Sequence, residues 1–307
     1  MNRYIAYFCP VNPPCSVATP RTFTLRDYTA AFFRLIRVRN LLLVVLTQYL
    51  TRILLIGPRA EWQQILTDPR MFVLSVSTVF IAAAGYIIND YFDVKIDIIN
   101  KPQRVIIGRY LRRRVAMGSH QFLNVAGVFL GLLVSKWVFL MNVSCVTLLW
   151  FYSERFKRAP FVGNVVVSLL TALSLVVVSI VYPQNRHLVM IYALFSFFMS
   201  LVREIIKDME DVRGDETHGC RTLPIVWGVR RTKLFVYVLV AGFITTLYLM
   251  AHSLNNVALG WLFTLLLLPL GWLVYRLVFS DTRREFAQLS SLCKTIMLLG
   301  LATMLWA

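Results

Sequence analysis

The sequence predicts an all-α integral membrane protein, a bundle of nine transmembrane helices. Three observations carry this expectation. Of 307 residues, 58% are hydrophobic and only 15% charged, with a mean hydropathy of +0.66, a balance that soluble domains do not show. Apolar runs long enough to cross a bilayer recur along the whole chain. Lysines and arginines gather in alternate short loops between those runs, 26 of 32 falling on one side, the pattern of the positive-inside bias.

The elements follow in order. Pro10, Pro13, Pro14 and Pro20 interrupt the first twenty residues, and no apolar core precedes a small-residue cleavage site. Residues 1–23 are therefore expected to form a loose cytoplasmic tail rather than a signal peptide, and residues 24–307 a single transmembrane domain. An amphipathic helix from Thr24, bearing Arg34, Arg37 and Arg39, leads into the first span. The nine spans are expected at 40–56, 71–88, 121–135, 137–152, 161–182, 188–202, 234–251, 257–279 and 289–306. Only Lys136 divides the third from the fourth. Gly127 and Gly131 form a small-xxx-small pair suited to close helix packing, and Pro269 is expected to kink the eighth span. The charge bias places the N-terminus in the cytoplasm and the C-terminus outside, in the cell inner membrane.

Composition also excludes. A formal charge of +17 suits nucleic acid, but its confinement to inter-span loops serves topology, and no nucleic-acid partner is expected. Cys9, Cys15, Cys145, Cys220 and Cys293 are odd in number and scattered, giving neither a disulfide framework nor a zinc site.

Acid usage locates the chemistry. Nine of the 15 acidic residues lie in two short windows. In the first, Asn89-Asp-Tyr-Phe-Asp-Val-Lys-Ile-Asp97, the residues Asn89, Asp90, Asp93 and Asp97 recur at steps of three and four, so they are expected to share one helical face. Glu204, Asp208, Asp211 and Asp215 repeat the same steps in the second. Carboxylates stacked at a membrane boundary repel one another and are partly desolvated, so cations must offset them. Those cations are either lysines and arginines or a divalent metal. Two acidic faces across a cavity suit Mg²⁺, which takes oxygen ligands and is commonly held by one or two carboxylates plus substrate phosphates. The expected site is a diphosphate–metal site. Lys101, Arg104, Lys157, Arg203 and Lys207 flank the acids and could clamp phosphate oxygens, whereas Arg112, Arg113 and Arg114 set topology only.

The two windows resemble the paired signatures of the UbiA superfamily of intramembrane prenyltransferases. The first motif looks like that family's first signature; Lys207-Asp-Met-Glu-Asp-Val-Arg-Gly-Asp215, running on to Thr222-Leu-Pro224, looks like the second, about 120 residues later. The resemblance covers roughly residues 37–279, with Tyr152, Lys157 and Asn164 in the expected cytoplasmic loop and following helix. It implies a nine-helix bundle with a lateral opening for a prenyl tail. It also implies that Asn89, Asp90, Asp93, Asp97, Asp208, Asp211 and Asp215 bind Mg²⁺ and diphosphate, with Asp93, Asp97, Asp211 and Asp215 carrying catalysis. Asn89, Lys101, Arg104, Tyr152, Lys157, Arg203 and Lys207 would bind substrate. The reaction implied moves a prenyl group from a polyprenyl diphosphate, which leaves only when metal and cations absorb its charge.

The second motif is similar to that of the geranylgeranylglyceryl phosphate geranylgeranyltransferase (digeranylgeranylglyceryl phosphate synthase) branch, which implies a lipid acceptor. An aromatic acceptor, such as 4-hydroxybenzoate or a naphthoate, is the alternative. One departure bears on that choice. Where the branch carries an Arg-Pro-x-Arg-Pro-Leu-Pro-like segment, this chain reads Lys101-Pro-Gln-Arg104-Val-Ile-Ile-Gly108, keeping the charges and losing the later prolines. A cation-coupled transporter fits less well, because the acids sit at helix ends rather than near the midplane. An EF-hand loop lacks its spacing and glycine.

Overall fold

The computed structural model describes residues 24–100, 102–253 and 257–306. Among them the chain is helical throughout. The order is α1 Leu25–Leu35, α2 Val38–Leu50, α3 Trp62–Thr67, α4 Pro69–Asn100, α5 Arg113–Val134, α6 Lys136–Glu154, α7 Val162–Val181, α8 Arg186–Thr217, α9 Leu223–Trp227, α10 Val229–Ser253, α11 Val257–Val278 and α12 Arg283–Ala302. Eight helices among the described residues are long and apolar enough to cross a membrane. The described apolar stretch of α11, Thr264–Val278, is shorter, and Pro269 lies inside that helix, which continues through it.

Most expected spans lie within helices, but α5 begins at Arg113, before the expected 121, and the division between the third and fourth spans falls at Ser135, one residue before the expected Lys136. Ser135 is fully extended and its side chain accepts from the Trp137 amide, capping α6. The first span ends in a π-helical turn, Thr51–Ile56. The expected span 188–202 is corrected: α8 runs on to Thr217, through the whole second acidic window. Charged residues continue the helix there because they face a polar cavity rather than lipid.

Helices α4 and α8 are the longest, 32 residues each. At about 1.5 Å per residue each measures about 48 Å, against a hydrocarbon core of roughly 30 Å. Their surplus length carries both acidic windows to one end of the bundle.

Close helix contact in the first half depends on small residues. Ser77 of α4 donates its hydroxyl to the Gly127 carbonyl at 2.7 Å, and the Asn142 amide of α6 donates to Ser77 Oγ at 2.7 Å. A β-carbon at Gly131 would lie 2.2 Å from Asn142 Nδ2, so glycine there lets α5 and α6 approach around this buried polar pair. The expected small-xxx-small role of Gly127 and Gly131 matches this contact. Gly131→Ala should therefore lower stability by about 1–3 kcal/mol, read as a lower Tm in detergent. Gly118→Ala on the same helix, where open space surrounds the glycine, should be neutral or stabilising; equal melting of the two variants would contradict this packing account.

Candidate active site

Where α4 and α8 end together, an open cavity lies between them, about 580 Å³ with its solvent-open space included. Asp97 enters it from α4, and Glu204, Lys207, Asp208, Asp211 and Asp215 enter from α8. Tyr152, at the end of α6, and Lys157, in the turn Phe156–Arg158 beyond it, close one side with Asn164 from the first turn of α7. A smaller cavity of about 190 Å³ lies against it, bordered by Asp90, Asp97 and residues 105–107, so Asp97 borders both.

Local structure explains how these groups arrive. Phe161 adopts a left-handed φ of 67° to start α7 sharply. Gly163 then passes so near the turn that a β-carbon would meet the Phe156 carbonyl at 2.8 Å. Glycine at this point presses α7 onto the loop and fixes Lys157 over the cavity. The loop after α8 is tied to the same frame, since the Arg221 amide donates to the Arg158 carbonyl at 2.9 Å.

The acids are offset by cations of the protein itself. Lys157 donates to the carboxylate of Asp93, which is 4% exposed. Arg37 donates to Asp90 at 2.7 Å and lies over the Tyr86 ring. Glu204 accepts from Arg203 and from Lys207, the latter at 3.3 Å. Asp208 accepts from the Asn164 amide at 2.8 Å. Burial disfavours the Lys157 ammonium, but the groups around it, Asp93 foremost and Asp97 with it, together outweigh that cost and raise its pKa above the ordinary lysine range. Lys157 is therefore charged at neutral pH.

Asn89, Asp90, Asp93 and Asp97 share one face of α4, as expected, but not one environment. At about 100° per residue they span an arc of about 100°, wide enough to meet different neighbours. Asp97 faces the larger cavity, Asp90 meets Arg37 at the smaller one, Asp93 is covered by Lys157, and Asn89 borders neither cavity. Arg203 also departs from expectation. It pairs with Glu204, its Nε is buried without a partner, and it does not border the cavity. Lys101 and the Arg104 side chain lie outside the described residues. Arg112, Arg113 and Arg114 are exposed, as expected of topology determinants.

Several groups were under-read in the sequence. Arg37, which the sequence places only on the amphipathic helix before the first span, is the ion partner of Asp90. Asn164, the one side-chain amide in the run 161–182, orients Asp208; an amide in a membrane-spanning run was the available signal. Cys220 and Thr222 complete the cavity wall; the second motif runs on to Thr222 without giving it a role, and no spacing announces Cys220.

Among the described residues no three histidine, cysteine or acidic side chains converge tightly enough to hold an ion alone. The donor set of Asp97, Asp208, Asp211 and Asp215 still fits Mg²⁺. It is all oxygen, it comes from two helices around an open cavity, and Mg²⁺ needs only one or two carboxylates when phosphates and waters complete its shell.

Comparison with known proteins agrees with this arrangement. Residues 54–299 match the UbiA prenyltransferase family. Digeranylgeranylglyceryl phosphate synthase of Korarchaeum cryptofilum is 32% identical over 241 residues, 78% of this chain and 85% of that protein. The synthase of Sulfurisphaera tokodaii is 30% identical over 222 residues, 71% of this chain and 77% of that protein. Two solved structures share the fold. One, of digeranylgeranylglyceryl phosphate synthase, has a TM-score of 0.72 at 23% identity, covering 91% of this chain and 98% of that one. The other, a UbiA homologue from Archaeoglobus fulgidus bound to GPP and Mg²⁺, has a TM-score of 0.63 at 16% identity, covering 89% of this chain and 99% of that one. With the match spanning most of its length and both acidic windows meeting at one cavity, the chain belongs to the UbiA prenyltransferase family.

Proposed function

We propose that this enzyme transfers a geranylgeranyl group from its diphosphate to the free hydroxyl of geranylgeranylglyceryl phosphate. The observation that carries the reading is the cavity where Asp97 meets Asp208, Asp211 and Asp215 beside Lys157 and Lys207. The relatives named digeranylgeranylglyceryl phosphate synthase support the choice of substrates.

In this reaction the allylic C–O bond of the donor breaks and the diphosphate leaves with the electron pair. An ether bond forms between the allylic carbon and the acceptor oxygen, and the hydroxyl proton is released. Lys157 and Lys207 bring fixed positive charge to the departing diphosphate, in a site where water screens little. Asp93 holds the Lys157 ammonium in place, and Asn164 holds Asp208 toward the cavity. Tyr152 offers an aromatic face to the electron-poor carbon. Mg²⁺ bound by Asp97, Asp208, Asp211 and Asp215 would add the charge screening that makes diphosphate a competent leaving group.

The setting completes the reading. Residues 24–307 form one domain, with α11 as the ninth span; the tail expected at residues 1–23 lies outside the described residues. The excess of lysine and arginine around the acidic end puts the cavity on the cytoplasmic side of the cell inner membrane and the C-terminus outside.

Three measurements test the proposal. Activity should be lost on EDTA treatment and return with added Mg²⁺; full turnover in metal-free buffer would refute the assignment of the acids. Lys157→Met should lower kcat/KM by two orders of magnitude or more, roughly 3 kcal/mol. It should also destabilise the fold by about 3–5 kcal/mol, because Asp93 is left buried without its cation. The double variant Lys157→Met/Asp93→Asn should regain the stability and not the activity, and recovery of both would make Lys157 a purely structural cation. Finally, with geranylgeranyl diphosphate as donor, the enzyme should prenylate geranylgeranylglyceryl phosphate and leave 4-hydroxybenzoate untouched. Prenylation of the ring alone would replace the acceptor and keep the reaction class.

A further inference from the structure

Thr222 is the N-cap of α9, with the extended backbone (φ −66°, ψ 161°) from which a threonine hydroxyl ordinarily accepts from the first turn of a helix. Here its side chain makes no capping bond. The residue is 4% exposed, its Oγ1 is buried with no hydrogen-bond partner, and it stands in the wall of the acidic cavity. A buried hydroxyl without a partner costs stability, and such groups are rare enough in native structures to require a reason.

The surroundings supply one. The neighbouring donors are engaged: the Asn164 amide with Asp208, Lys157 with Asp93, Lys207 with Glu204. Thr222 sits on a loop that is held firmly, by the Arg221 amide on the Arg158 carbonyl and the Cys220 amide on the Asp215 carbonyl, both at 2.9 Å. The same frame holds Lys157. A hydroxyl fixed in this way, beside a cavity built for a multiply charged phosphate, is a preorganised neutral donor.

We infer that Thr222 is a substrate-binding residue whose hydroxyl donates to a phosphoryl oxygen held in the acidic cavity. The inference rests on the prenyl-transfer reading above. The phosphoryl group belongs either to the donor diphosphate or to the acceptor phosphate, which share this chemistry and are separated by the test.

The experiment compares Thr222→Val, which keeps the shape and loses the hydroxyl, with Thr222→Ser, which keeps the hydroxyl. Thr222→Val should lower kcat/KM about 10- to 100-fold, the loss of one hydrogen bond to a charged group, while Thr222→Ser stays within about threefold of wild type. Thr222→Val should melt no lower than wild type, because no capping bond is lost. The fall in kcat/KM with donor varied, or with acceptor varied, assigns the phosphate. Stabilisation by inorganic pyrophosphate with Mg²⁺, read as a rise in Tm, should weaken in Thr222→Val alone if the donor is the partner. Wild-type kcat/KM for both substrates in Thr222→Val would overturn the inference, as would equal impairment of both variants together with a lower Tm. If the wild-type enzyme transfers no prenyl group to the glycerol lipid, the functional reading fails separately. The pyrophosphate arm then decides Thr222 alone: weaker stabilisation in Thr222→Val upholds it, and equal stabilisation overturns it.

Discussion

The structure depends on how mutual repulsion among carboxylates is contained at the edge of a bilayer. Asp90, Asp93 and Asp97 on α4 and Glu204, Asp208, Asp211 and Asp215 on α8 would drive the two helices apart if all were charged and unaccompanied. Arg37, Lys157, Arg203 and Lys207 answer this by pairing with Asp90, Asp93 and Glu204. These pairs lie at or near the cavity mouth, where partial burial strengthens their attraction relative to water. They divide the acids into two groups. Asp90, Asp93 and Glu204 hold protein cations in place, whereas Asp97, Asp208, Asp211 and Asp215 present oxygen to the cavity.

The rest of the bundle serves that division. Two helices longer than the bilayer bring the acids to one end, and the short connections there are locked rather than loose. Gly163 permits α7 to press on the turn that carries Lys157, and the Arg221 to Arg158 backbone bond ties the next loop to the same turn. The segment 105–107 packs Ile106 and Ile107 against Ala31 and Leu35 of α1 and Ile87 of α4, forming one side of the smaller cavity. Val105 and Ile107 stand where the branch pattern has prolines, and Ile106 and Ile107 thus work as core residues joining the amphipathic helix to the acidic end.

Deeper in the membrane-spanning part, a few polar side chains join one helix to another. Ser77 and Asn142 join α4 to α6 across Gly127, and His120 of α5 bonds the Ala84 carbonyl of α4 at 3.0 Å. Lipid offers no hydrogen bonds, so these contacts supply directional adhesion between helices that apolar packing alone leaves free to slide. The polar groups at the acidic end have a different arrangement, open to a cavity and spread over four helices. Their chemistry is prenyl transfer, in keeping with family membership.

Much was legible in the sequence. Hydropathy gives the spans because a backbone in hydrocarbon has no choice but helix, and loop charge gives the sided distribution of acids and bases. Helical phase marks the two acidic windows, and their paired pattern marks the family. What the sequence could not decide was partnership across long separations. That Arg37 takes Asp90 and Lys157 takes Asp93, over 53 and 64 residues, follows from the corner at the left-handed Arg37 and from the approach of α7 at Gly163. That Arg203 pairs with Glu204 without bordering the cavity, while Thr222 stands in its wall, is likewise set by packing. Periodicity fixes the direction of a side chain from its own helix axis; only packing fixes what stands opposite it.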